Sequence, residues 1–138
     1  MKLSREVIAT QALGMPSGHY AQGNVVRIGA VDSLLFVSGM TARKVDGSIA
    51  GVGDVGEQPR PVCRNLQAAL ESAGSSLEDI CRVDVFIRNM EHFAEIHAAR
   101  REFFKDPLPA STMVEVNKMV HPDMLIEINA IAVTHRAQ

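Results

Sequence analysis

Leu34-Leu35-Phe36-Val37-Ser38-Gly39-Met40-Thr41-Ala42-Arg43 is the stretch on which the reading of this chain turns. It opens as a continuous apolar run, which at this length predicts a buried β-strand. Small polar residues, a glycine and a cation follow at once. A strand that ends in Ser38-Gly39 carries backbone amides and a hydroxyl to one fixed place, and the candidate site is expected at that end. Val25-Val26-Arg27-Ile28 reads as a second strand just upstream. The short connection through Val31-Asp32-Ser33 predicts a hairpin.

Further out, Val7-Ile8-Ala9 is a short first strand, and the segment from Leu13 to Gly23 is loop-like, punctuated by Gly14, Pro16, Gly18 and Gly23. Lys44 to Gly56 is a second loop with Asp46-Gly47 as its turn. Pro59 and Pro61 suit the first turn of a helix, where a missing N–H does least harm. Val62, Leu66, Ala69, Leu70 and Ala73 give that helix one apolar face, and Gly74 stops it. Ser75 to Asp79 reads as a capped single turn. Cys81 to Ile87 alternates, with Val83, Val85 and Ile87 on one face and Arg82, Asp84 and Phe86 on the other, which predicts a strand. Asn89 caps a second helix over Glu91 to Phe104, whose inner side holds Phe93, Ile96, Phe103, Phe104 and the stem of Arg100. Pro107 and Pro109 end it. Met113–Val116 and Leu125–Val133 are the last two strands.

This order predicts one α+β domain over residues 1–138, a mixed sheet with two helices on one face, since two helices can cover only one side. The last strand sharpens the point. Ile126, Ile128, Ala130 and Ala132 suit the covered face, whereas Leu125, Glu127, Asn129, Ile131 and Val133 form a face too apolar for water and too polar for plain core. Such a face implies a second subunit, with Asn129 near the seam.

The composition is that of an ordinary globular chain with a single real core: 138 residues, 46% hydrophobic, 22% charged, net charge −2. One Tyr, five Phe, no Trp and no basic patch argue against a nucleic-acid partner. Met1 to Glu6 lacks the apolar core of a signal peptide, and no apolar run is long enough for a bilayer, so a cytoplasmic protein with no membrane partner is expected. Cys63 and Cys81 are too few and too far apart for a disulfide framework or a zinc site and read as reduced, half-buried thiols. The five histidines form no zinc ligand set, because His92 and His97 are five residues apart and do not share a helix face. No metal is expected.

Gly51-Val52-Gly53-Asp54-Val55-Gly56 matches the dinucleotide-binding pattern and precedes a helix. Its context argues for a plain turn: the preceding strand would be only Ser48-Ile49-Ala50, the loop holds an anionic Asp54, and two helices cannot build a doubly wound sheet. Ser38 lacks the flanking glycines of a nucleophile elbow. His97 follows Phe93 by four residues and so faces inward, either as a hydrogen-bonded core or interface histidine or as a proton carrier. Arg43, beside Lys44, is either solvated or a carboxylate clamp. Glu115, between Val114 and Val116, either faces the pocket or pairs with a cation across the seam.

Taken in order, Gly18-His19-Tyr20-Ala21-Gln22, Leu35-Phe36-Val37-Ser38-Gly39, Asn65-Leu66, Glu71-Ser72-Ala73-Gly74, Val85-Phe86-Ile87, Phe103-Phe104, Val114-Glu115-Val116 and Ile126-Glu127-Ile128 resemble the Rid family of reactive intermediate deaminases, also called YjgF-like. The match runs from about Tyr20 to Val133. It implies a chorismate-mutase-like fold, a homotrimer with clefts between subunits, and hydrolysis of enamines and imines to ketones and ammonia without a cofactor. It also implies an arginine, in a Pro-x-Arg-Ser/Thr segment, that holds the substrate carboxylate, and a glutamate on the last strand that positions the attacking water.

On that correspondence Ser111 stands in the arginine's place, Met113 replaces a small residue, and Asn129 stands in the glutamate's place. Serine cannot neutralise a carboxylate and asparagine cannot take a proton at neutral pH. Ser38 to Lys44, Asp46 to Gly51, and His121-Pro122 before Leu125 are similar to the 2-aminomuconate deaminases. This subgroup implies an enamine dicarboxylate from aromatic-compound catabolism, with Arg43 as the substitute clamp. The expected roles are then a water held by Asn129, a proton moved by His97, a cleft capped by Tyr20, and a small-molecule acid bound by Ser38, Gly39 and Arg43, with Ser111, Met113 and Glu115 along the walls. The alternatives are a non-deaminating protein that binds small acids in the same cleft, with a regulatory role, and a different hydrolase or tautomerase.

Overall fold

The computed structural model describes residues 5–16, 18, 20–30 and 32–135. His19 of the quoted motif and Val31 of the expected turn lie outside them. Among the described residues six strands and two helices follow one another as β1 (Arg5–Ile8), β2 (Gly23–Arg27), β3 (Asp32–Met40), α1 (Pro59–Ser72), β4 (Ile80–Ile87), α2 (Phe93–Arg100), β5 (Ala110–Glu115) and β6 (Ile126–His135). The sheet order is β1-β2-β3-β6-β4-β5. β4 and β5 are parallel and every other pairing is antiparallel, so the sheet is mixed.

Helix α1 begins with Pro59 inside its first turn and ends as the sequence predicts. Gly74 takes a positive φ of 76°, its N–H donates to the Glu71 carbonyl, and the Ser75 N–H reaches back to Leu70. That pair of bonds closes the helix in a Schellman turn. Val62, Leu66, Ala69 and Leu70 are fully buried against β3 and β6. Leu35 and Val37 of β3, Val83, Val85 and Ile87 of β4, and Ile126, Ile128, Ala130 and Ala132 of β6 complete one core. Each fully buried Leu or Ile there contributes about 1.5–3 kcal/mol.

Several expectations change. The Leu34–Val37 run alternates instead of being buried throughout: Leu35 and Val37 are shielded, while Phe36 is 40% exposed on the opposite face. The hairpin exists, but Asp32 and Ser33 already belong to β3, and Ser33 pairs with Arg27. The second helix divides into a single 3-10 turn at Met90–His92, capped by Asn89, which accepts from the Glu91 N–H, and α2 proper. Phe93 is 45% exposed, so Ile96, Ala99 and Phe104 carry the buried side. The cysteines are not alike: Cys63 is fully buried in α1 and Cys81 is exposed.

The glycine-rich segment is a turn. Gly51 sits at φ 63°, with the Gln58 Cα only 3.1 Å from where a Cβ would lie. Asp54 occupies the helix approach itself, accepting from the Gly56 and Glu57 N–H groups. No helix among the described residues is long and apolar enough to cross a membrane.

Candidate functional site

The strand end singled out from sequence is a β-bulge. Val37 pairs with Ala130 and Met40 with Ile128, so β3 takes three steps where β6 takes two. The extra residue lets both Val37 and Met40 point into the core and pushes Ser38 and Gly39 out of the regular ladder. Bulges of this kind re-aim side chains near functional sites. The Ser38 N–H bonds to the Gln22 carbonyl, and its hydroxyl donates to the Ala21 carbonyl at 2.6 Å. Ser38 therefore ties the 20–22 segment to β3, and its proton is already committed.

A cavity of about 300 Å³ opens at this end, within the size range of small-molecule sites. Tyr20, Ser38, Gly39, Arg43, Met124 and Glu127 line it. Glu127 projects from β6 across the bulge. Its carboxylate lies so close over Gly39 that an added Cβ would fall 2.3 Å from Oε2 and 2.7 Å from Cδ; glycine is required by that approach. Burial pushes the Glu127 carboxyl up from the ordinary glutamate value, and it has no hydrogen bond or ion pair among the described residues. A partly desolvated carboxyl in a cavity, its proton affinity raised by burial, is suited to take and return a proton.

Two amides hold the walls, one fully buried and one half-buried. Gln58, fully buried at the start of α1, donates to the Asp123 carbonyl at 2.8 Å and accepts from the Leu125 N–H at 2.6 Å, fixing the segment that carries Met124. Asn65 donates to the carbonyls of Thr41 and Arg43 at 2.8 and 2.9 Å and fixes the other wall. The Arg43 guanidinium donates to the Met15 carbonyl.

A second cavity, of about 460 Å³, lies between α2 and β5. His97, Arg100 and Ser111 are on its wall. The Arg100 Nη2 donates to the Ser111 hydroxyl at 3.3 Å. His97 stacks on Phe93, with ring centroids 5.2 Å apart.

The site residues expected from sequence therefore fall into three groups. Tyr20, Ser38, Gly39 and Arg43 meet in the first cavity. His97 and Ser111 meet in the second. Asn129, Met113 and Glu115 line neither. The Asn129 side chain is on the open face of the sheet, where it accepts from the Asp84 N–H at 3.1 Å. Met113 packs against the core. Glu115 accepts from the Met90 N–H at 2.9 Å and so supports the turn before α2.

The residue missed is Glu127. The available signal was a carboxylate in an apolar strand beside a serine-glycine strand end. Glu127 and Asn129 are two apart, so they share a face, and sequence alone does not say which of them reaches the bulge. Among the described residues no group of His, Cys, Asp and Glu is placed to hold a metal ion.

The endoribonuclease L-PSP family profile matches residues 10–134. A RutC family protein of Pyrococcus horikoshii is 36% identical over 128 residues, covering 93% of this chain and 97% of its own. A 2-iminobutanoate/2-iminopropanoate deaminase of Dermatophagoides farinae is 28% identical over 129 residues, covering 94% of this chain and 96% of its own. The crystal structure of Escherichia coli TdcF with bound serine superposes with a TM-score of 0.78 at 33% identity, covering 93% of this chain and 98% of that one.

Proposed function

Because this chain belongs to the endoribonuclease L-PSP family, the Rid or YjgF/RutC family, with its chorismate-mutase-like α+β fold, we propose that it hydrolyses a reactive enamine or imine carboxylic acid to the keto acid and ammonia. The observation that carries this reading is the Glu127 carboxyl, half-buried, without a partner among the described residues and pressed over Gly39 in a cavity walled by Tyr20 and Arg43. A relative named as an iminopropanoate deaminase supports the reaction class, and a neighbour holding serine supports a ligand of amino-acid size.

Chemically the task is modest. Protonation of the enamine carbon gives an imine whose carbon is already electrophilic, so the protein mainly has to position water and move one proton. In its acid form Glu127 delivers that proton. As carboxylate it then takes a proton from the water adding to C=N. The carbinolamine collapses to C=O, and the nitrogen leaves as ammonia with the returned proton. Atoms balance without redox chemistry. Water positioning, expected of Asn129, passes to Glu127 in this scheme, because Asn129 is held by the Asp84 N–H on the open sheet face.

The finer proposal is a 2-aminomuconate-like dicarboxylate from aromatic-compound catabolism, supported by the Ser38 to Lys44 segment and by cations on the walls of both cavities. We further propose a cytoplasmic homotrimer. The uncovered sheet face carries Phe36, Phe86 and Val114 beside Asn129 and Arg82, and a half-polar face of that kind is suited to a sister chain. The test is ammonia release from freshly generated 2-aminomuconate and 2-iminopropanoate, with sedimentation run in parallel. Acceleration over the spontaneous rate that Glu127→Gln abolishes supports the reading. No acceleration with either substrate overturns it, and keto-acid binding without turnover marks a small-acid binder instead.

A further inference from the structure

We propose that Gln58 is a positioning residue for Glu127: its buried amide fixes the segment by which the chain enters β6 and so holds the carboxyl over Gly39. The last pair between β3 and β6 is Met40 with Ile128, so Glu127 lies where β6 has already lost its β3 neighbour. Ile126 and Glu127 pair with Ile87 and Phe86 of β4 on the other side. The turn before them closes on itself: the Met124 N–H donates to the His121 carbonyl and the Asp123 N–H to His121 Nδ1. Gln58 takes up the place that β3 leaves. Its side chain is fully buried. The amide nitrogen donates to the Asp123 carbonyl at 2.8 Å and, at greater length, to the Ala50 and Gly51 carbonyls at 3.3 and 3.4 Å. The amide oxygen accepts from the Leu125 N–H at 2.6 Å. The two short bonds straddle Met124, which is itself buried on the cavity wall, and Glu127 follows directly behind them.

The glycine-rich turn is the bracket that presents this amide. Gly51, at φ 63°, comes so near that a Cβ there would lie 3.1 Å from the Gln58 Cα and 3.2 Å from its nitrogen. The Asp54 carbonyl accepts from the Gln58 N–H, and the Asp54 N–H donates back to the Gly51 carbonyl. The Asp54 carboxylate holds the Gly56 and Glu57 N–H groups between them. A buried amide with both its donor and its acceptor engaged has no cheap second position, so it passes the geometry of the turn on to the start of β6. That this placement serves catalysis rests on the deaminase reading; that Gln58 places Glu127 does not.

The experiment uses the full-length protein and two readouts: the Glu127 carboxyl titrated by ¹³C NMR, and kcat and KM for 2-iminopropanoate hydrolysis. Gln58→Met keeps the length of the side chain and loses its bonds. Its Glu127 midpoint should fall toward the ordinary glutamate value as the carboxyl swings into water. Its kcat should fall on the order of 10–100-fold, the scale of misplacing a reacting group by up to about 1 Å, with KM changing less. Gln58→Glu is the conservative rescue: as the neutral acid it donates to the Asp123 carbonyl and accepts from the Leu125 N–H. Its kcat should stay near wild type at about pH 5 and fall relative to wild type as the acid ionises. A less stable Gln58→Met with midpoint and kcat both unmoved overturns the assignment, as does a Gln58→Glu no better than Gln58→Met at about pH 5. Should Gln58→Met fail to fold, Gly51→Ala takes its place under the same two readouts, since it keeps the amide and crowds the Gln58 backbone. A moved midpoint in a protein inert towards enamine acids keeps the positioning and removes the deaminase reading. Undiminished turnover with an unmoved midpoint keeps that reading and removes this inference.

Discussion

Gly39→Ala tests the centre of the site through one methyl group. The added Cβ would lie 2.3 Å from the Glu127 Oε2, 2.7 Å from Cδ and 3.0 Å from Cγ. Ordinary carbon contacts begin near about 3.5 Å, so the carboxylate must retreat by roughly 1 Å. All three atoms belong to one flexible side chain, and the φ of Gly39 is not positive, so the backbone accepts alanine while Glu127 moves. A displacement of about 1 Å at a reacting group costs on the order of 100-fold, or about 2.7 kcal/mol in the barrier. Folding stability should change by less than about 1 kcal/mol, since alanine in an extended strand loses less chain entropy than glycine. The assay is kcat/KM for imine hydrolysis beside urea unfolding, with the Glu127 carboxyl titrated by ¹³C NMR. Its midpoint should fall toward the ordinary glutamate value as the group swings into water. Full activity in Gly39→Ala with the Glu127 titration unmoved would refute the placement. A double variant with Glu127→Gln whose losses multiply would refute the idea that both act through one contact.

Glu127→Gln should also change the pH dependence of stability. The folded-state pKa of Glu127 is raised by burial above the ordinary 4.5, so the carboxyl's contribution is full below that value and is lost as pH rises through the raised pKa. Unfolding curves should therefore show the glutamine variant gaining on wild type from about pH 4.5 upward, and a constant gap would contradict the assignment. Gln58→Ala leaves the Asp123 carbonyl and the Leu125 N–H without their buried partner and should cost about 1–3 kcal/mol in urea unfolding. Burial pushes the Cys63 thiol up to about 12, so iodoacetamide at neutral pH should label Cys81 alone in the folded protein and both cysteines in denaturant; mass spectrometry reads the difference.

Patterns confined to one element were legible in the sequence. The spacing of Val62, Leu66, Ala69 and Leu70 and the stop at Gly74 mark α1 because both follow from helix geometry within about fifteen residues. Alternation marks β4 and the covered side of β6 for the same local reason. The serine-glycine end of β3 stood out because a change from apolar to small polar residues is itself a sequence signal, and in the structure it lies on the wall of a cavity. Helix α2 was less legible: the turn at Met90–His92 and the outward Phe93 depend on how the segment meets its neighbours.

What sequence alone determined is thus the order of the elements, the mixed sheet with two helices on one face, and the end of β3 as the place to look. Tertiary structure alone decided which polar residue lies at that place. With a repeat of two, Glu127 and Asn129 are equivalent along β6, and only the bulge at Ser38–Gly39, a relation between two strands, brings Glu127 over Gly39 and leaves Asn129 to the Asp84 N–H. Ser111 in β5 and Arg100 in α2 are eleven residues apart and meet only when the helix packs beside the strand. Spacing along a chain records the period of each element, whereas the distance between elements is set by register and packing.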